Sequence, residues 1–283
     1  MKLTATEIQS AVSAALAEDL GSGDATTLAT VPASAVSRAF MKAREPLVVA
    51  GIQFAEQAFR ELSSTIRLKK CAADGQRLRA GDTILKISGS SRALLSAERV
   101  ALNFVQRLSG VATATAAFTQ IIQGTRVKIL DTRKTTPGWR RFEKYAVTAG
   151  GGKNHRMGLF DMILIKDNHL VALQNEKPNA IAAAISRARK QFPELAVEVE
   201  ADTLAQVAQA ADAGADIILL DNMTPAQLRA GVNIVQGRAK LEASGGVSLK
   251  TVRAIAAAGV DFISVGAITH SARAVDIGLD FED

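Results

Sequence analysis

Apolar positions in this chain change their spacing twice, and each change marks a new kind of element. From Met1 to Gly21 they recur at helical intervals, predicting an amphipathic helix that runs into a polar, glycine-punctuated loop from Glu18 to Thr27. Residues 35–50 alternate as a strand does until Pro46 interrupts them, and Ile52 to Leu62 return to a helical period. Asp74 to Ile87 reads as short strands joined by glycine turns, a small β-barrel-like module without the displayed lysine of a lipoyl-type carrier. A long helix is expected from Ser96, as its N-cap, to Ile122. Arg99 then falls in its first turn, where a cation opposes the helix dipole, so another purpose is indicated.

Beyond Gln123 the pattern becomes repetitive. VKILD, MILIK, AVEVE, IILLD, KLEAS and FISVG are apolar runs, most of them separated by alanine-rich helical segments. Glu200, Asp221, Ser244 and Gly266 close the last four at spacings of 21, 23 and 22 positions, the size of a compact β/α unit. Short parallel strands alternating with helices predict a barrel or a doubly wound sheet. The barrel is favoured because each strand end carries a functional-looking group, as when all ends converge on one mouth.

With 283 residues and 48% hydrophobic content the chain can bury a large core in one large domain or two ordinary ones. No stretch approaches ~18 consecutive apolar residues, so no membrane span is expected. Glu7, Glu18 and Asp19 interrupt the N-terminal segment, which lacks a signal-peptide core, and the expectation is a cytoplasmic protein. The lone Cys71 excludes an intramolecular disulfide and a multi-cysteine metal site and is expected to fill core. Net charge is 34 minus 28, or +6, which favours anionic partners. One Trp, one Tyr and no long Lys/Arg run speak for small anionic substrates over nucleic acid.

The charge has a focus. Between Ile129 and His169 lie Arg133, Lys134, His155, Arg156, Lys166 and His169, flanked by runs ending at Asp131 and Lys166. In α/β folds ligands bind where the strands stop. Gly150, Gly151 and Gly152 lack the spacing and hydroxyl of a Walker loop and read as a flexible connection. Glu200 and Asp221 end strands where a carboxylate is costly unless paired or metal-bound, so they either meet Lys134 or Lys166 or hold Mg²⁺ and ribose hydroxyls. The three histidines, His155, His169 and His270, lack the close pairing of a zinc site. Ser244-Gly245-Gly246 and Val265-Gly266-Ala267 follow the last two strands, where backbone N–H groups can cradle phosphate.

Several segments together resemble the quinolinate phosphoribosyltransferase family: Glu18 to Gly21, Glu98 to Asn103, Asp131 to Gly138, His155 to Leu159, Leu164 to His169 and Asp276 to Asp280. The likeness covers nearly the whole chain and is most specific from 131 to 169, with Trp139 and Arg141 as small departures beside the motif. It implies an N-terminal α/β sandwich domain over 1–110, joined by the tail 271–283, and an incomplete (β/α) barrel over 111–270. It implies phosphoribosyl transfer from phosphoribosyl pyrophosphate to the nitrogen of quinolinate with decarboxylation, giving nicotinate mononucleotide in NAD biosynthesis, with Mg²⁺ as cofactor. Thr132, Arg133, His155, Arg156 and Lys166 would hold quinolinate, and Arg99 would reach it from a neighbouring subunit of a homo-oligomer. Lys134, Glu200, Asp221, Ser244, Gly245, Gly246, Val265, Gly266, Ala267 and His270 would bind phosphoribosyl pyrophosphate, with Lys134, Glu200 and Asp221 catalytic and Glu200 and Asp221 on the metal.

Overall fold

The computed structural model describes residues 1–282. In chain order, α1 (Ala5–Leu20), α2 (Ala25–Thr30), β1 (Val36–Ala43), β2 (Leu47–Val48), α3 (Ile52–Leu62), β3 (Arg67–Lys70), β4 (Arg77–Leu78) and β5 (Thr83–Ser90) precede the long α4 (Ser91–Ile121). Next come β6 (Lys128–Leu130), α5 (Arg140–Ala149), β7 (Ile163–Ile165), α6 (Asp167–Val171), α7 (Ala180–Gln191), β8 (Val197–Ala201) and α8 (Leu204–Asp212). β9 (Ile217–Asp221), α9 (Pro225–Val235), β10 (Lys240–Ser244), α10 (Val252–Ala256), β11 (Phe262–Ser264), α11 (Ala267–His270) and β12 (Ile277–Phe281) complete the order. These elements form two compact units. The first comprises residues 1–116, 136–151 and the stretch from Ile268 onward, and the second residues 117–135 and 152–267. A linear division at residue 110 therefore differs from the packing, because α5 belongs with the first unit.

In the first unit an antiparallel sheet has the order β12-β1-β5-β3, so the C-terminal strand covers the edge of β1. The alternation of β1 buries Ala39, Met41 and Ala43 and leaves Arg38 exposed. Helix α1 buries Ile8, Val12 and Leu16, one per turn, and starts at a capping box between Thr4 and Glu7. Phe54 of α3 stacks on Phe104 of α4 at 4.8 Å, and Phe104 stacks on Trp139 at 4.9 Å. Each fully buried side chain of this kind contributes roughly 1.5–3 kcal/mol by leaving water.

Four expectations change here. The Asp74–Ile87 region forms no separate β module, since β5 joins the main sheet and β4 makes only a two-residue ribbon with β2. Part of the Glu18–Thr27 loop and the residues after it are helical, because the Asp24 side chain accepts from the Thr27 N–H at 2.9 Å and caps α2. Helix α4 begins at Ser91, not Ser96, whose hydroxyl instead donates to Asp24 at 2.9 Å. Arg99 thus lies well inside the helix, and the dipole argument for it lapses. Cys71 is exposed, because β3 ends at Lys70 and leaves it beyond the core.

The second unit is a six-stranded parallel sheet in the order β6-β11-β10-β9-β8-β7, flanked by α7 to α10. Its strands are β/α repeats, and several of their helices have strong starts: Asn179, Thr203 and Thr224 each accept a backbone N–H three residues on. Val197, Val199, Ala201, Ile218, Leu220, Leu241, Ala243 and Ile263 are all buried, an apolar layer on one face of the sheet. β6 and β7 do not pair with one another. Lys153 extends the β6 edge instead, donating to Ile129 O at 2.8 Å and accepting from Asp131 N at 3.2 Å. This is an incomplete (β/α) barrel.

Candidate active site

Period-two alternation decides what faces the cavity. In β8 the valines point one way and Glu198 and Glu200 the other, and the same alternation pairs Leu164 with Lys166, Leu219 with Asp221, and Glu242 with Ser244. Register then sets levels: Glu200 of β8 and Glu242 of β10 both lie opposite Leu219, while Ser244 lies opposite Asp221. A cavity of about 430 Å³ opens where these strands end. Thr132, Arg133, Lys134, His155, Arg156 and Lys166 line it, together with Glu200, Asp221, Glu242, Ser244 and Ser264, with Leu164 and Leu219 as its apolar surface. A groove of about 330 Å³ on the first unit's sheet carries Arg38, Arg67, Lys69 and Lys86 but only Glu282 as an acid, so it lacks this mixture.

Each cation is held from the sheet ends. Asp131, fully buried after β6, accepts from Asn154 Nδ2 at 2.6 Å and from the His155 N–H at 2.8 Å. Next in sequence, Arg156 is braced by its Nη1 donating to Met162 O at 3.1 Å. Asp161 closes the following turn by accepting from the Met157 and Gly158 N–H groups at 2.7 and 2.9 Å. Burial, and then the charge of Arg133, hold the Arg156 guanidinium below its ordinary pKa, while Glu198 and Asp161 oppose that shift. Two crowded arginines are a site whose repulsion an incoming anion relieves.

Lys166 Nζ lies 2.5 Å from Glu200 Oε2, the ion pair that sequence had left as one of two options. Asp221 is not bound to lysine, and its Oδ2 accepts from Asn222 Nδ2 at 2.7 Å. His169 gains a role: its Nδ1 accepts the Lys166 N–H at 2.9 Å and fixes the backbone at the start of α6. Gly245 and Gly246 adopt positive φ of 87° and 61° after β10, a turn that glycine favours. Together with Val265, Gly266 and Ala267 they follow strands of this unit without lining the cavity. Arg99 and His270 belong to the first unit, where Arg99 is exposed and His270 Nδ1 lies 2.6 Å from Ser271 Oγ.

His155, expected to hold quinolinate, lines the cavity with both ring nitrogens facing protein groups. Its Nδ1 accepts the Arg156 N–H at 2.7 Å, so the proton of a neutral ring sits on Nε2. Nε2 in turn lies 3.0 Å from Glu198 Oε2 and 3.7 Å from Glu242 Oε1. Both carboxylates are buried, at 0% and 1% exposure, with the His155 ring and the Ser264 hydroxyl as polar neighbours. Sequence reading overlooked both, taking AVEVE and KLEAS as apolar runs. For Glu198 the signal was there in the strict Val-Glu alternation of AVEVE, which marks a strand with one apolar and one polar face.

With this geometry in place, likeness to known proteins becomes informative. The family model for the C-terminal domain of quinolinate phosphoribosyl transferase matches residues 111–280, and that for its N-terminal domain matches 24–109. The nicotinate-nucleotide pyrophosphorylase [carboxylating] of Mycobacterium leprae is 44% identical over 94% of both chains. A probable nicotinate-nucleotide pyrophosphorylase [carboxylating] of Bacillus subtilis is 40% identical over 93% of this chain and 89% of its own. The solved structure of the nicotinate-nucleotide pyrophosphorylase from Francisella tularensis superimposes with a TM-score of 0.93 at 40% identity, covering 99% of this chain and 98% of that one. The chain belongs to the quinolinate phosphoribosyltransferase family.

Proposed function

We propose that this enzyme joins the pyridine nitrogen of quinolinate to C1 of phosphoribosyl pyrophosphate, releasing pyrophosphate and the 2-carboxylate as carbon dioxide, to give nicotinate mononucleotide. One observation carries the reading: a single cavity holds Arg133, Arg156 and Lys166 for a dicarboxylate together with Glu200, Asp221 and Ser244 for a second, phosphorylated substrate. A monocarboxylate would need only one bidentate arginine.

Arg133, Arg156 and Lys166 take the two carboxylates, with Thr132 beside them, while His155 braces Arg156 from below. Lys134, exposed at the rim, meets the departing pyrophosphate, and the turn from Ser244 to Gly246 offers backbone N–H groups to the 5-phosphate. Val265 to Ala267 complete the phosphate side. As C1 separates from pyrophosphate the ribose gains positive charge, which the carboxylates of Glu200 and Asp221 stabilise. Once the nitrogen is quaternised it draws the electron pair released on loss of the 2-carboxylate.

Glu200 and Asp221 also suit Mg²⁺. They are half-buried carboxylates at neighbouring strand ends, one of them already bridged to a lysine that a cation can replace, and this oxygen-rich donor set is what a hard cation selects. When bound, the ion supplies charge neutralisation for pyrophosphate. Arg99 enters from a second copy of the chain in a homo-oligomer, which gives its exposed side chain a partner. Incubation with quinolinate, phosphoribosyl pyrophosphate and Mg²⁺ should yield carbon dioxide and nicotinate mononucleotide. Consumption of nicotinate in place of quinolinate would assign a different base, and no product from either would end the reading.

A further inference from the structure

Loss of carbon dioxide leaves an electron pair on C2 of the pyridine ring, and completing the product requires a proton there. We propose that Glu242 is the general acid that delivers it, an assignment that rests on the reaction proposed above. In this step the bond from C2 to the carboxylate carbon breaks and its pair stays on C2 beside the quaternised nitrogen. The Glu242 O–H proton then forms the C2–H bond, and Glu242 becomes a carboxylate. Mass and charge balance without any further reagent, since solvent returns one proton per turnover.

The cavity offers few alternatives. Arginines hold their protons too firmly to give them up. Lys166 is taken up by a substrate carboxylate, Lys134 lies exposed at the rim, and the hydroxyls of Thr132, Ser244 and Ser264 are much weaker acids. The His155 ring gives its Nδ1 to the Arg156 N–H and turns Nε2 toward Glu198 and Glu242, so neither nitrogen is free to face a substrate. Glu242 is different: strand alternation puts it on the cavity face, level with Leu219, where the Ser264 hydroxyl is its hydrogen-bonding neighbour.

Its surroundings keep it loaded. It is faced by Glu198 from β8, His155 from the segment after α5, Asp131 from the end of β6 and Ser264 from β11, with apolar Leu219 beside it on β9. Burial, and then the neighbouring charge of Glu198, push its pKa up to about 8, while His155 and Ser264 oppose the shift. A carboxyl that is protonated at neutral pH and sits in a substrate cavity is the arrangement that general-acid catalysis requires. After transfer, the new carboxylate stands against Glu198, and that repulsion favours its reprotonation from the mouth.

The test compares wild type with Glu242→Gln and Glu242→Asp in product formation across pH 6 to 10. Wild-type kcat should fall on the alkaline side as the acid is lost. Glu242→Gln should lower kcat roughly 10²-fold or more, the usual size of a general-acid contribution. Its KM for both substrates should stay within about threefold and its alkaline limb should vanish, because substrate binding is left to other groups. Glu242→Asp should restore part of kcat together with the limb. Glu242→Gln with kcat within about threefold of wild type, or with an unchanged alkaline limb, would overturn the assignment. Should Glu242→Gln not fold, Glu242→Asp and the wild-type profile decide, and a wild-type kcat with no alkaline limb refutes the proposal. Stoichiometric Zn²⁺ uptake by wild type that Glu242→Gln abolishes would make the cluster with His155 and Glu198 a metal site and would also refute it. A wild type that makes no nicotinate mononucleotide sinks the reaction itself, whereas an active wild type beside an undiminished Glu242→Gln sinks only the acid.

Discussion

At the scale of single residues, the cavity is built from charges that the protein holds apart at a cost and a bound substrate brings to rest. Arg156 is held below its ordinary pKa by burial and by Arg133, and in the proposed reaction it makes a charge-assisted contact to a substrate carboxylate. Such bonds are worth about 1.5–3 kcal/mol, so Arg156→Ala and Lys166→Ala should each raise the quinolinate KM roughly 10- to 100-fold. Unchanged steady-state kinetics in both would remove these residues from the pocket. Glu242 gives a stability prediction with a definite sign. Its folded pKa, about 8, exceeds its ordinary 4.5, so the native state binds the extra proton between those values. Its contribution is therefore complete below about pH 4.5 and is lost as pH rises through about 8. Thermal melts should show Glu242→Gln matching wild type near pH 5 and exceeding it in Tm near pH 9; a gap that shrinks with rising pH contradicts the buried, protonated state. The cavity cations and the strand-end acids were legible in sequence because charge after an apolar run is conspicuous. Glu198 and Glu242 were not, because a carboxylate inside an apolar run looks like an interruption until strand register shows which face it occupies.

At the scale of elements, the repetitive half was easier to read than the first. The six parallel strands coincide with the six apolar runs, β8 extending one residue past its own to Ala201, because β/α units are local: a short buried strand, a capped helix, then the next strand. Three of the four errors in the first unit concern antiparallel or loop structure, where partners are distant in sequence. β12 pairs with β1 across more than half the chain, and no local pattern announces that. The triple glycine is a further case. Gly150 is not free to vary, because a Cβ there would run into Ala112 O of α4 and come within 2.7 Å of Thr115 Cβ. Gly150→Ala should therefore destabilise by about 1–3 kcal/mol, the cost of overpacking, as a lower denaturant midpoint with unchanged m-value. A neutral result would restore the reading of a merely flexible joint.

At the scale of the whole molecule, Arg99 decides between a self-sufficient chain and a shared site. If its guanidinium serves a second copy, an Arg99→Ala chain mixed with an Arg156→Ala chain should recover part of the wild-type activity that each lacks alone. Hybrids proven to assemble yet inactive would show that the site is not shared. No helix among the described residues is long and apolar enough to cross a membrane.

Sequence by itself determined the β/α repeat, the cationic stretch from Ile129 to His169 and its acidic counterpart at Glu200 and Asp221, because periodicity and charge are local properties of a chain. It also carried the family resemblance. Only the tertiary structure decided that Lys166 meets Glu200, that both His155 nitrogens face protein groups, and that Glu198 and Glu242 lie buried beside that ring. Those facts depend on strand register and on side chains that converge from β6, β8, β10 and β11, and convergence in space is not encoded in any one stretch of sequence.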